Sequence, residues 1–328
     1  MSRNELIGVL CLIGGVALFS TVEIAGKVIG ARVDPVVLTF IRFSLTGVML
    51  LAISVPALRR RSERLRGRDY LIFALNGFIG VAVAISLFHF AILTFHKAAS
   101  SAVVFSANPV FVLILARFIN REIWCLRKWG AVLLGTAGVC CFVWESGAPD
   151  VNSFVGLGLM LLSAFFFALS ICIAKRMIPR YGAMVLMGFS ALFGSIMLLP
   201  VALLRLEGIE GLVEASVPVL YVALFGTALA YALYYYGLTH ISANKGAMTF
   251  FLKPVLASFL AVLLLGEEIN AWMLGGTALI LAGLVLMVLN PGRFLQAVAR
   301  TASACAARLV SKDEGTPDSG KTGLPFTE

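Results

Sequence analysis

The stretch Leu252-Lys253-Pro254-Val255 lies in the middle of an otherwise apolar run, Ala247 to Leu265, and Ala107-Asn108-Pro109-Val110 holds the same place in an earlier run, Ser101 to Ile119. A lysine at the centre of a bilayer-spanning helix costs about 2.5–3.5 kcal/mol on insertion scales, so it is rarely kept without a use. The proline beside it has no N–H to donate. That frees the carbonyl one turn earlier, Phe250 in the later run and Phe105 in the earlier. A free carbonyl at membrane depth is tolerated only where protein covers it or a wet cavity meets it. The two stretches therefore predict a helical membrane bundle whose backbone is broken twice, beside polar side chains.

Composition supports a membrane setting. Of 328 residues 60% are hydrophobic and 13% charged, with mean hydropathy +0.98; soluble domains run near about 45–50% and about 25%. Apolar runs close to the roughly 20 residues that cross a bilayer occur at about 6–26, 36–56, 70–93, 98–119, 127–144, 154–174, 184–204, 216–238, 245–265 and 272–290. These predict ten transmembrane helices. Lipid leaves helices or a closed barrel as the only options, and continuous rather than alternating apolar runs argue against the barrel. Leu6–Ala25 is too long for a cleaved leader and follows a single arginine.

Lysine and arginine cluster between the runs. With the N-terminus in the cytoplasm, 17 of them fall on the inner side, including Arg59, Arg60, Arg61, Arg64, Arg66 and Arg68, against 4 outside (Lys27, Arg32, Lys97 and Arg205). The positive-inside rule then places both termini in the cytoplasm and the chain in the cytoplasmic (inner) membrane. The net charge of +9 is explained by these loops, so no nucleic-acid partner is expected. The six cysteines show no metal spacing, and neither a metal nor another cofactor is expected. Residues 291–328 read as a cytoplasmic tail, part amphipathic and part disordered.

The chain also contains itself twice. At an offset of 145, Phe105, Pro109, Val110, Glu122, Gly130 and Gly138 meet Phe250, Pro254, Val255, Glu267, Gly275 and Gly283 without a gap; nearer the start, at offset 148, Gly8 meets Gly156 and Lys27 meets Lys175. Residues 1–145 and 146–290 are thus expected to be two repeats. Five helices is an odd number, so the second repeat enters the membrane from the opposite side. Paired half-sites with broken backbone near the midplane are the sequence pointer to a transporter's binding site.

Together these motifs resemble the EamA-type transporters of the drug/metabolite transporter superfamily. The resemblance rests on Asn108-Pro109-Val110 running to Arg121-Glu122, on Lys253-Pro254-Val255 running to Gly266-Glu267-Glu268, and on Gly-rich closing helices with Gly130, Gly135 and Gly138, then Gly275, Gly276 and Gly283. It covers about residues 6–290. It implies an all-α integral membrane protein, ten transmembrane helices arranged as two inverted five-helix repeats around a central cavity. It also implies transport of small metabolites, often amino-acid export.

Lys253 can supply positive charge to an anionic group such as a substrate carboxylate, with Asn108 opposite as a neutral donor and acceptor. It can equally act as a proton switch or as a brace tied to nearby carbonyls. Glu23 and Arg42 lie at similar depth on neighbouring helices and are expected to pair; Glu23 with Lys27, four residues on, is the competing pair, and an unpaired Glu23 becomes a proton-coupling carboxylate. His89 with Phe90, and Tyr235 with Tyr231 one turn away, are expected to line or gate the cavity, and Pro109 and Pro254 mark the helix breaks. Gly14, Gly15, Gly135, Gly138, Gly275 and Gly276 permit close helix contact within the bundle or between two copies, a monomer being favoured.

The expected function is secondary active transport, with net export of an amino acid or related carboxylate-bearing compound by alternating access. Uptake or facilitated diffusion by the same fold is the alternative. No Walker A sequence is present, so a coupled ion such as a proton, or the substrate's own gradient, supplies the energy. An intramembrane enzyme would need a nucleophile–base pair, paired carboxylates or a metal cluster at depth, and no HExxH or GxSxG occurs. No catalytic residue is assigned; the partners expected are a small-molecule substrate and the lipid bilayer.

Overall fold

Long apolar runs alternate with short polar connections, and each run folds as helix. In this computed structural model the described residues are 2–59, 65–94, 104–123, 125–145, 151–205, 210–265 and 271–288, and among them there is no strand. In chain order the helices are α1 (Arg3–Ile29), α2 (Pro35–Arg59), α3 (Gly67–Thr94), α4 (Asn108–Ile119), α5 (Leu126–Glu145), α6 (Val151–Tyr181), α7 (Ala183–Leu204), the short α8 (Glu210–Glu214), α9 (Ser216–His240), α10 (Ala243–Met248), α11 (Leu252–Leu265) and α12 (Ala271–Val288). The first compact unit, Met1–Met287, holds all that follows. The expected tail, and Arg60, Arg61, Arg64, Lys97, Gly266 and Glu267, lie outside the described residues.

Among the described residues six helical stretches are long and apolar enough to cross a membrane: Arg3–Arg32, Pro35–Pro56, Gly67–Thr94, Val155–Tyr181, Ala183–Leu204 and Ser216–His240. The chain is a multi-pass, all-helical membrane protein. The other four expected spans hold α4, α5, α10 with α11, and α12. Two of these are interrupted rather than continuous helices. α4 begins only at Asn108, and a 3₁₀ turn, Thr249–Phe251, separates α10 from α11. Pro109 and Pro254 therefore stand in the first turn of α4 and of α11, where a missing N–H leaves no bond unmade. They start helices rather than kink them.

The ends are fixed locally. Ser2 and Glu5 form a reciprocal capping box at the start of α1 (Glu5 N–H to Ser2 Oγ 3.2 Å, Ser2 N–H to Glu5 Oε2 2.9 Å). Glu122, just past α4, accepts from the Ala243 N–H (2.8 Å) and from Asn244 Nδ2 (2.6 Å) and pairs with Lys128 (3.3 Å), which ties that end of α4 to the start of α10.

α2 lies along α7, α1 against the second half of α9, and the second half of α3 against α6; α4 packs on α6 and α11 on α1. At the α3–α7 crossing the backbones touch. A Cβ on Gly77 would stand 2.1 Å from the Ser190 carbonyl oxygen, and one on Gly194 would stand 2.6 Å from that of Gly77. Beside the crossing Asn76 Nδ2 donates to Ser190 Oγ (3.1 Å) and Ser170 Oγ donates to Asn76 Oδ1 (3.1 Å), joining α3, α7 and α6. Gly15 and Gly138 serve the same end inside the bundle, facing the Ala230 and Gly276 carbonyls.

α3 and α9 each contain one π-helical turn, Phe78–Val83 and Leu224–Leu229. A π turn widens the helix and leaves backbone groups for side chains to satisfy. In α9 the Thr227 hydroxyl donates to the Val222 carbonyl five residues earlier (2.7 Å).

Candidate functional site

Residues beside the two breaks meet at one cavity. Its wall takes Phe19 and Val22 from α1, Arg42 from α2, Ile85 and Phe88 from α3, Phe105 ahead of α4, Phe167 from α6, Tyr231 from α9, Phe250 from the 3₁₀ turn and Lys253 from α11. The rings interlock: Phe19 with Tyr231 at 4.9 Å between centroids, Phe105 with Phe250 at 5.9 Å and Phe167 with Phe250 at 5.6 Å. The space open to the centres of water-sized molecules is about 30 Å³, room for about two waters. An organic solute enters only if these rings move.

The breaks are stitched across the chain. The Phe250 carbonyl, in the turn ahead of α11, accepts from Ser106 Oγ at 3.1 Å as well as from the Leu252 N–H. Asn108 Nδ2 donates to the Ala164 carbonyl of α6 (3.0 Å), and its Oδ1 has no hydrogen-bond partner among the described residues. Both arrangements keep polar backbone out of lipid contact.

Two cations, one carboxylate and one histidine sit in or behind the wall, none more than 4% exposed. Lys253 donates from Nζ to Glu23 Oε1 in a buried ion pair, and its ammonium lies 4.6 Å from the Phe105 ring centroid and 5.3 Å from that of Phe88. Glu23 Oε2 has no hydrogen-bond partner among the described residues. Arg42 donates from Nε to Thr227 Oγ1 (2.8 Å) and from Nη1 to His89 Nε2. Arginine can only donate, so His89 Nε2 accepts and the ring is neutral with its proton on Nδ1.

Of the residues expected to bind substrate, the cavity brings together Lys253 and Tyr231, and it adds Arg42. Asn108, Tyr235, His89 and Phe90 do not line it: Asn108 turns to α6, His89 stands behind Arg42, and Phe90 lies under Arg205 (5.6 Å to its ring centroid). The expected Glu23–Arg42 pair is not made. α11 packs on α1 and brings Lys253 to Glu23, and a shared sequence depth does not fix which face each side chain takes. The sequence reading missed the aromatic wall, although the repeat carried a signal for it: Phe105 and Phe250 are equivalent at offset 145, and Phe19 and Phe167 at offset 148.

A helical multi-pass membrane protein that holds charge among aromatic rings at the heart of its bundle has the features of a solute carrier. The chain belongs to the EamA-like transporter family, whose sequence profile matches it at residues 6–144 and again at residues 154–289. An uncharacterized transporter of Clostridium kluyveri is 30% identical over 297 residues, covering 87% of this chain and 95% of its own length. YicL, an uncharacterized inner membrane transporter of Salmonella typhimurium, is 27% identical over 278 residues, 80% of this chain and 88% of its own. A probable amino-acid metabolite efflux pump of the same organism is 28% identical over 201 residues, 57% of this chain and 66% of its own. A solved crystal structure shares the fold, with a TM-score of 0.68 over 88% of this chain and 97% of that one at 18% identity.

Proposed function

We propose that the chain is a secondary transporter that moves a small carboxylate-bearing metabolite, an amino acid or a close relative, by alternating access of this one cavity, with net export. The observation that carries the reading is the cavity's charge. Two buried cations, Arg42 and Lys253, stand against one carboxylate, Glu23, inside aromatic walls. A carboxylate answers the uncompensated positive charge while the rest of the solute packs on the rings. The relative named as an amino-acid metabolite efflux pump is in keeping with this cargo and direction, and the relatives are named as transporters rather than enzymes. The substrate gradient or a coupled proton drives the cycle, and proteoliposomes with and without a pH gradient distinguish them.

The architecture proposed with it is ten transmembrane helices in two inverted repeats, 1–145 and 146–290, ahead of a cytoplasmic tail. Contacts support it by occurring in exchanged pairs: α1 on α9 answers α6 on α3, and α4 on α6 answers α11 on α1. The π turns also fall at equivalent places, with Gly80 in one and Gly226 in the other. The loop charges support both termini in the cytoplasm.

The test is the thermal stability of the purified protein across amino acids, organic anions, amines and nucleosides, with Lys253→Gln beside it. A ligand at 100 times its Kd stabilises the folded state by about 2.7 kcal/mol. A carboxylate-bearing compound is expected to raise stability in the wild type and not in the variant. Stabilisation by amines alone refutes the reading.

A further inference from the structure

The two cations of the cavity are not equivalent. We infer that Arg42 rather than Lys253 anchors the anionic end of the solute, and that Thr227 and His89 are its positioning residues; the inference rests on the carboxylate reading above.

The charge of Lys253 is already answered. Its ammonium donates to Glu23, which stands behind it, fully buried and outside the cavity wall, and two aromatic faces take up the rest of its surroundings. Lys253 and Glu23 together form a neutral unit. Arg42 has no such answer: among the described residues no carboxylate comes within ion-pair distance of it, and Glu23 acts on it only at longer range. Both its hydrogen-bond partners, Thr227 and His89, are neutral. They use two of the five N–H groups of the guanidinium and leave three, in a planar fork that matches a carboxylate. The uncompensated charge of the cavity is therefore the charge of Arg42.

The partners also fix where that fork points. The Thr227 hydroxyl hydrogen is committed to the Val222 carbonyl across the π turn, so the oxygen offers only lone pairs, and Arg42 Nε takes one of them. His89 Nε2, on α3, receives Nη1 from another side. The wide turn in α9 thus acts at a distance on the cavity, by holding the acceptor that orients the guanidinium.

The experiment measures binding of two carboxylates and their carboxamides: L-phenylalanine against L-phenylalaninamide, and phenylacetate against phenylacetamide. It uses the intact protein in detergent, with helicity and monodispersity checked for each variant. The wild type is expected to prefer the carboxylate. In Arg42→Gln carboxylate affinity falls at least about tenfold, the size of one charge-assisted hydrogen bond, and the preference disappears. Lys253→Gln also loses the preference, because an unanswered Glu23 then cancels Arg42. The double variant Glu23→Gln/Lys253→Gln regains it, which a merely structural role for the pair does not explain. Thr227→Val keeps the charge but frees the guanidinium and weakens the preference a few-fold; an unchanged preference removes Thr227 from its role. A preference that survives Arg42→Gln, or that the double variant does not regain, overturns the anchor. A wild type that binds neither carboxylate overturns the carboxylate reading, and the anchor with it.

Discussion

Removing either end of the Glu23–Lys253 pair is the sharpest test of how the bundle is held, and its size follows from where the pair sits. The side chains are 0% and 3% exposed, so water screens the pair little. Unit charges about 4 Å apart at an effective dielectric constant near 20 attract by about 4 kcal/mol. Taking away one partner of a buried pair costs about 3–5 kcal/mol, because the other charge is left in place, while replacing both partners by uncharged groups is close to neutral. Glu23→Gln and Lys253→Gln are therefore each expected to lose about 3–5 kcal/mol, and the double variant about 1 kcal/mol or less. The implied coupling is several times the roughly 0.6 kcal/mol average of interhelical polar contacts in membranes, so the cycle separates an ion pair from an ordinary hydrogen bond. Reversible unfolding in mixed micelles with increasing denaturing detergent, followed by circular dichroism, gives the four free energies. Single variants that each lose less than about 1 kcal/mol, and that add in the double, would refute the reasoning.

Four further variants can be read in the same unfolding assay. Gly77→Ala forces α3 away from the Ser190 carbonyl and is expected to lose about 1–3 kcal/mol as overpacking; an unchanged protein contradicts the close crossing. Ser106→Ala removes one of the two donors to the Phe250 carbonyl and should lose about 0.5–1.5 kcal/mol, whereas a neutral effect means that this hydrogen bond adds nothing to stability. Glu122→Ala leaves the Ala243 N–H and the Asn244 amide without their acceptor, for about 1–3 kcal/mol. Lys128→Ala should change little, since that pair is partly exposed, and equal losses in the two variants would place the effect in the salt bridge instead.

Hydropathy made the six long spans legible because each is a continuous apolar helix, and the register of the repeat made the two breaks legible because proline leaves a fixed mark. What lay beyond reading was which face of each helix turns inward. Glu23 and Arg42 share a depth, so the sequence offered them as partners, but only the packing of α11 on α1 decides that Lys253 reaches the carboxylate first. The π turns were invisible for a related reason. Their sequences, Phe78–Val83 and Leu224–Leu229, are as apolar as the α-helix around them, and the extra residue shows only once Thr227 is seen bonding five residues back. Asn108 looked like a cavity residue because polar groups at depth usually face water; here a carbonyl of α6 occupies it instead.

The stitch between Ser106 and Phe250 carries a consequence for biosynthesis. Its donor and acceptor are 144 residues apart, and Glu23 precedes Lys253 by 230. A nascent chain therefore inserts the hydroxyl and the carboxylate of its first half long before the ribosome has made the groups that answer them. A chain cut short before Phe250 leaves both without these partners in the membrane, a chemical mark by which an unfinished protein differs from a finished one. The completing event is the arrival of the 3₁₀ turn and α11, so a late part of the molecule seals the first.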